Sequence, residues 1–147
     1  MKLLVYFLLA LMAGAFLPLQ AGVNGQLKAF VGGPAQAAFV SFTAGALALL
    51  GYLLASRTPF ADGAAQANWW LWIGGGLLGA CYVTLIIVLT PILGVALTFG
   101  LIIAGQMGMS LLFDQFGWLG LPVHALNAWR VAGALLIVGG VVLIRRF

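Results

Sequence analysis

Long apolar runs without a charged side chain occupy most of the sequence. Residues 3–27, 29–56 and 63–113 contain no Asp, Glu, Lys or Arg, and a further run of this kind covers residues 131–144. A helix needs ~20 apolar residues to cross the hydrocarbon layer of a membrane. The first two runs therefore predict one spanning helix each, the third predicts two, and the last predicts one.

Two features place the ends of these helices. Thr90-Pro91 divides the long third run, because proline lacks an N–H group and disfavours helical geometry in the preceding residue. The last run is short for a span, so we expect the fifth helix to begin near Leu126, with Arg130 in its first turn reaching toward the headgroups. The sequence predicts one all-α membrane domain over residues 1–147, with helices at about 2–24, 34–55, 68–89, 92–113 and 126–146.

Composition agrees with a membrane protein. Charged residues make up 5% of the chain and apolar residues 65%, whereas soluble domains carry roughly 25% charged residues. The net charge is +4, but the cations are scattered and form no patch, so we expect the lipid bilayer and no nucleic acid as a partner. The single cysteine, Cys81, lies inside a predicted span, which leaves no disulfide framework and no metal cluster.

The positive charges give no preferred orientation in the membrane. The six cations divide equally between the two predicted sides: Lys2, Arg57 and Arg130 on one, and Lys28, Arg145 and Arg146 on the other. An excess of Lys and Arg normally fixes the cytoplasmic side. Either another determinant selects one orientation, or the chain inserts both ways and pairs as an antiparallel homodimer. We expect the antiparallel dimer, which builds from two chains the inverted repeat that many transporters contain in one.

Few polar side chains lie inside the spans, and they are the candidates for substrate binding. Gln20 and Asn24 follow Pro18 in the first helix and share a face, because they are four residues apart. Gln106 and Ser110 share a face of the fourth helix in the same way. Two interpretations are open for these groups. They line a substrate cavity, or they form hydrogen bonds that join neighbouring helices.

Aromatic and small residues complete the set of candidates. Trp72 and Tyr82 of the third helix are either cavity-lining rings or members of an interfacial aromatic belt. Gly133 and Gly140 lie one heptad apart on the fifth helix, which has no uncharged polar side chain between residues 131 and 144. Because small residues let helices approach closely in lipid, we expect these two glycines to form the subunit contact.

No catalytic, cofactor or metal site is predicted. The sequence contains one histidine, His124, and none of the common hydrolase, metalloprotease or phosphate-loop motifs. A lipid-modifying enzyme would require His124 and Asp114 to lie together. Asp, Glu, Lys and Arg occur only near the ends of the predicted spans, whereas proton-coupled carriers usually use a carboxylate within the membrane. The expected substrate is therefore neutral or amphipathic.

An ordered set of motifs resembles a known family. They are Pro18-Leu-Gln20-x-x-x-Asn24, Ser41-Phe42-x-x-Gly45, Trp70-x-Trp72-x-Gly-Gly, Gly79-Ala-x-Tyr82-x-Thr84 and Ala104-Gly105-Gln106-x-x-x-Ser110-Leu-Leu-x-Asp114-x-Phe116-Gly117. The chain resembles the YdcZ-like family of bacterial inner-membrane proteins (domain of unknown function 606), which is placed in the drug/metabolite transporter superfamily. The resemblance implies an inner-membrane exporter that works as a dimer.

The last three spans also resemble helices of the small multidrug resistance exporters. If Leu27-Lys28 is matched to the end of the first helix of that family, the resemblance implies that Gln20 stands where those exporters carry their essential membrane carboxylate. Glutamine does not titrate, so proton antiport at this position is not expected. We predict a small-molecule exporter that works by alternating access at a cavity in the dimer interface. The alternative is a non-transporting accessory subunit in which the polar side chains only join helices.

Overall fold

The computed structural model describes residues 2–147, apart from the side chain of Asp62. This part of the chain forms five long helices: α1 (Lys2–Val31), α2 (Pro34–Ser56), α3 (Trp69–Leu93), α4 (Val95–Phe116) and α5 (Ala128–Arg146). Each is long and apolar enough to cross a membrane. Short 3₁₀ turns, Asp62–Gln66 and Trp118–Gly120, lie in the connections before α3 and before α5. The predicted all-α class with five spans is confirmed.

Backbone contacts divide the chain into two compact units, Met1–Ile92 and Leu93–Phe147. The first unit contains α1, α2 and nearly all of α3, and the second contains α4 and α5. Each unit has its own helix packing. The organisation of residues 1–147 as one membrane domain stays a prediction.

The break between α3 and α4 lies at Gly94 and not at Pro91, the position that the sequence indicates. Gly94 has a φ of 80°, which glycine adopts without steric cost. Pro91 lies inside the last turn of α3. There it removes the helical hydrogen bond to the carbonyl of Ile87, and Lys28 Nζ donates to this carbonyl instead, at 3.3 Å. The helix therefore continues to Leu93.

Other helix ends also differ from the predicted ones; for example, α4 continues to Phe116 and not only to residue 113. The predicted end of α1 at residue 24 rested on membrane thickness, but the helix continues to Val31 and stops before Gly32, which has a φ of 98°. The predicted start of α5 at residue 126 moves to Ala128, because the side chain of Asn127 accepts a hydrogen bond from the backbone N–H of Arg130 at 2.9 Å. This contact is a typical helix N-cap.

The three helices of the first unit pack around a small core near the end of α1. Its buried members are Ala37, Ala38, Val83 and Ile87, with Leu27, Val31 and Tyr82 packed against them. Elsewhere on α3, Gly79 faces the ring of Phe42 on α2, and a Cβ atom at Gly79 would lie 3.1 Å from Phe42 Cζ. The absence of a side chain at Gly79 thus leaves room for the ring of Phe42 between α2 and α3.

In the second unit, α4 packs against α5 through a similar contact. A Cβ atom at Gly100 would lie 3.0 Å from Val141 Cγ2, and Val141 is buried. Thr98, at 1% exposure, donates its hydroxyl to the carbonyl of Gly94 at 2.7 Å. This bond satisfies a buried hydroxyl and fixes the first turn of α4 after the glycine break.

Candidate functional site

Gln20 lies beside an open groove between α1 and α2. Its Nε2 is 3.5 Å from Ser41 Oγ, which is a long hydrogen bond. The groove has a volume of about 320 Å³ and is lined by Gln20, Ser41, Phe42, Gly45, Ala46 and Leu49. Sites that take small organic molecules have volumes of roughly 300–1,000 Å³. This groove, which we call the Gln20–Ser41 groove, is at the lower end of that range.

Ser41 is a member of this groove that the polar pattern alone does not single out. A serine inside a helix can bond back to its own backbone, so its presence carries little information. The sequence nevertheless contains a signal, because Ser41, Phe42 and Gly45 form one of the motifs that carry the resemblance described above. All three residues line the groove.

Asn24 faces the packed interior of the first unit. It is 2% exposed, whereas Gln20 is exposed, although the two residues are one helical turn apart. Within the described part of the chain, Asn24 Nδ2 has no hydrogen-bond partner. Leaving a buried amide unpaired costs roughly 1–3 kcal/mol. The predicted role of Asn24 in substrate binding stays a prediction, and its geometry indicates a group that needs a partner.

Lys28, one turn after Asn24, connects α1 to α3. Its ammonium group is part-buried and donates to the Ile87 carbonyl. The sequence pattern identifies Lys28 as a charge at the membrane edge and Pro91 as a helix breaker, without relating them. In the structure they are complementary, because the proline exposes the acceptor that the lysine uses.

The two aromatic candidates lie in different surroundings. Trp72 is 58% exposed on α3, and Tyr82 is half-buried and packs against the core of the first unit. Exposure of Trp72, like that of Trp69 and Trp70, agrees with an interfacial belt. Participation of Trp72 and Tyr82 in a substrate cavity stays a prediction.

A second groove lies between α4 and α5. It has a volume of about 270 Å³ and is lined by Met107, Ser110, Leu111, Asp114, Arg130, Gly133, Ala134 and Ile137. Ser110 and Gly133 therefore meet at one site, which we call the α4–α5 groove. Gln106 is exposed on α4, one turn before Ser110. A Cβ atom at Gly133 or Gly140 would meet nothing within 4 Å, and the predicted subunit contact at these glycines stays a prediction.

An ion pair closes one end of this groove. Arg130 donates to the carboxylate of Asp114 and, through a second nitrogen, to the carbonyl of His124 at 2.7 Å. The backbone N–H of His124 in turn donates to the carbonyl of Asp114 at 2.7 Å. Gln115 adds a further bond, since its Oε1 accepts from the N–H of Leu126 at 2.7 Å. These contacts fasten the α4–α5 connection to both helix ends.

The ion pair is the main feature of this unit that the sequence pattern does not predict. Asp114 and Arg130 each resemble isolated interfacial charges. A signal is present, because opposite charges at the end of one span and the start of the next lie on the same membrane side. His124 contributes its backbone to these contacts, and the carboxylate of Asp114 is directed to Arg130. Among the described residues, no group of three or more His, Cys, Asp or Glu could hold a metal ion.

Comparison with known proteins identifies the family. Residues 5–143 match the family described as "Putative inner membrane exporter, YdcZ". No curated protein and no solved structure matches the chain. The matched residues include most of α1 and of α5 and all of the three helices between them. Together with the five spanning helices, this match shows that the chain is a multi-pass inner-membrane protein and belongs to the YdcZ family of exporters.

Proposed function

We propose that this protein exports small neutral, zwitterionic or amphipathic molecules through a site that includes the Gln20–Ser41 groove. One observation carries the proposal. Two polar side chains from different helices meet beside an open groove, in spans that contain few polar side chains. Polar groups inside the membrane are costly, and they commonly mark a substrate pathway.

The chemistry of the groove suits an uncharged or internally balanced solute. The Gln20 carboxamide offers both a donor and an acceptor, and the Ser41 hydroxyl offers the same. Phe42 supplies an aromatic face, and Gly45 and Ala46 supply small apolar surfaces. None of these groups titrates near neutral pH, so binding at this groove would not itself exchange a proton.

A second copy of the chain completes the site in this proposal. The groove is open on one side, and the equal division of the six cations allows both orientations in the membrane. An antiparallel partner would cover the groove and produce inverted symmetry around it. Gly133 and Gly140 of α5 are the proposed subunit contact. Alternating access is then a rocking of one subunit against the other around a site at the membrane midplane.

Five further residues belong to the proposed cavity. They are Asn24, Trp72 and Tyr82 of the first unit and Gln106 and Ser110 of the second. Support for Asn24 comes from its buried amide, whose Nδ2 has no hydrogen-bond partner among the described residues. Aromatic rings at Trp72 and Tyr82 would add weak affinity for an organic cation.

An untargeted flux assay tests export. Purified protein is reconstituted into liposomes that are loaded with a bacterial small-molecule extract and diluted into solute-free buffer, with and without a pH gradient and a membrane potential. Mass spectrometry of the external solution should show selective release of at least one solute relative to protein-free liposomes. Release at the background rate for every solute under every gradient would contradict the proposal and favour a non-transporting accessory subunit.

A further inference from the structure

We propose that the α4–α5 groove binds a phospholipid with a primary ammonium headgroup, such as phosphatidylethanolamine. The phosphate is bound by Arg130, the ammonium group by Asp114, and an acyl chain lies on the apolar floor of the groove. This site is distinct from the Gln20–Ser41 groove. It shares Ser110 with the proposed cavity and Gly133 with the proposed subunit contact, so the lipid is placed at a subunit boundary. The Asp114–Arg130 pair that binds the headgroup belongs to neither of these, and the inference does not depend on export.

The charged end of the groove lies where a headgroup would be found. Asp114 is near the last residue of α4, and Arg130 is near the first residue of α5. Their side chains are 33% exposed for Arg130 and 30% exposed for Asp114, so both remain accessible while they are paired. Charges at such helix ends reach the level of the lipid headgroups.

Both side chains of the ion pair retain hydrogen-bonding groups that can bind a ligand. Arg130 uses one terminal nitrogen for the Asp114 carboxylate and the other for the His124 carbonyl. A guanidinium group carries further N–H donors, and a carboxylate has further lone pairs. A phosphate next to Arg130 and an ammonium next to Asp114 would convert the ion pair into a four-charge arrangement with alternating signs.

This charge pattern selects among headgroups. A zwitterionic headgroup matches both charges of the pair, whereas an anionic headgroup without an amine would be attracted by Arg130 and repelled by Asp114. A choline headgroup carries no N–H donor, so it cannot donate a hydrogen bond to the carboxylate. The primary ammonium headgroup is therefore the one that satisfies both side chains.

Below the ion pair, the groove lining changes from polar to apolar in the same order as the glycerol and the acyl chain of a phospholipid. Ser110 lies one turn below Asp114, where its hydroxyl would meet the glycerol esters. Below it the lining is apolar, with Met107 and Leu111 on α4 and Ile137 on α5. From Met107 to Asp114 the groove extends about 10 Å along α4, at ~1.5 Å per residue. Gly133 opens this space, because a Cβ atom there would meet nothing within 4 Å.

The site is tested by photocrosslinking in nanodiscs. The full-length protein is incorporated with phosphatidylethanolamine that carries a photoactivatable group in one acyl chain, and labelled peptides are identified by mass spectrometry. We expect labelling of α4 and α5 near the groove. Unlabelled phosphatidylethanolamine should compete at least about tenfold better than phosphatidylcholine or phosphatidylglycerol. Equal competition by all three lipids, or equal labelling by a photoactivatable diacylglycerol, would overturn the proposal.

A matched pair of variants tests the groove itself. Ala134→Leu adds a side chain to the groove lining and should reduce labelling about tenfold. Ala132→Leu adds the same side chain at an exposed position of α5 outside the groove and should leave labelling unchanged. Asp114→Asn should remove the preference for the ammonium headgroup. Equal labelling of both leucine variants would contradict the assignment, as would displacement of the lipid probe by a solute that the protein exports.

Discussion

Lys28 Nζ donates a hydrogen bond to the carbonyl of Ile87, the group that Pro91 deprives of its helical partner. Ile87 is 1% exposed, so its carbonyl lies where water does not readily replace a lost hydrogen bond. This hydrogen bond therefore joins the end of α1 to α3. It also satisfies the carbonyl that Pro91 leaves without its helical partner, so α3 continues past the proline.

This relationship predicts coupling between Lys28 and Pro91. Lys28→Met should lower the free energy of unfolding by about 1–2 kcal/mol, because it leaves a buried carbonyl unpaired. In a Pro91→Ala background residue 91 again donates to this carbonyl, so the same change should cost about 1 kcal/mol less. Unfolding by sodium dodecyl sulfate in mixed micelles measures all four proteins.

The control for that cycle is Lys2→Met, which removes an exposed charge at the start of the same helix. It should change stability little. If the effects of Lys28→Met and Pro91→Ala are additive, the proposed replacement of one hydrogen bond by the other is wrong.

Contact between α2 and α3 depends on the absence of a side chain at Gly79. Gly79→Ala should destabilise the protein by about 1–3 kcal/mol, because the added methyl group displaces the ring of Phe42. Gly75→Ala on the same helix meets nothing within 4 Å and should be neutral. Thermal unfolding in detergent compares the two variants, and Gly79→Ala combined with Phe42→Leu should regain part of the loss. Equal unfolding temperatures of Gly79→Ala and Gly75→Ala would show that the contact between Gly79 and Phe42 does not form.

The start of α5 depends on the side chain of Asn127. Asn127→Ala removes the acceptor for the Arg130 N–H and should cost about 1 kcal/mol, with faster hydrogen exchange in the first turn of α5. Asn127→Ser retains a capping oxygen and should stay close to the parent protein. Slow hydrogen exchange in both variants would show that the contacts between Asp114 and His124 order the first turn of α5 without the Asn127 cap.

Membrane orientation should respond to single charges if the chain inserts both ways. C-terminal fusions to alkaline phosphatase and to green fluorescent protein should both be active, because each reports a different side. Arg57→Gln and Arg146→Gln remove charges from opposite sides, so they should shift the ratio of the two signals in opposite directions. A single active reporter that neither change affects would contradict dual topology and the antiparallel dimer.

The sequence predicted the class of structure well because the membrane imposes a simple requirement. Four apolar runs become five helices, two of them from the long third run, since an isolated span in lipid must satisfy its own backbone. The ends were less predictable. Gly94 and not Pro91 separates α3 from α4, because a proline near a helix end removes one bond that a distant lysine can replace.

The site was predictable in its residue types and less so in its pairings. Gln20 and Asn24 share a face by spacing, yet one lies beside a groove and the other is buried, because a second helix covers only part of that face. Periodicity within one helix contains no information about the neighbour. For the same reason the contact of Gln20 with Ser41 does not follow from periodicity, and the positions of Asp114 and Arg130 place them on one membrane side without showing that they pair.

Transport through the Gln20–Ser41 groove is the central claim, and flux of a released solute in proteoliposomes tests it most directly. Gln20→Ala and Ser41→Ala should each lower the flux about tenfold, since each removes a polar contact inside the membrane. The variant Gln106→Ala, measured in the same assay, tests whether Gln106 of the second unit belongs to the proposed cavity. Gln26→Ala, an exposed glutamine on the same helix as Gln20, should retain the parent flux. Unchanged flux in Gln20→Ala, in Ser41→Ala and in their combination would contradict the proposed site.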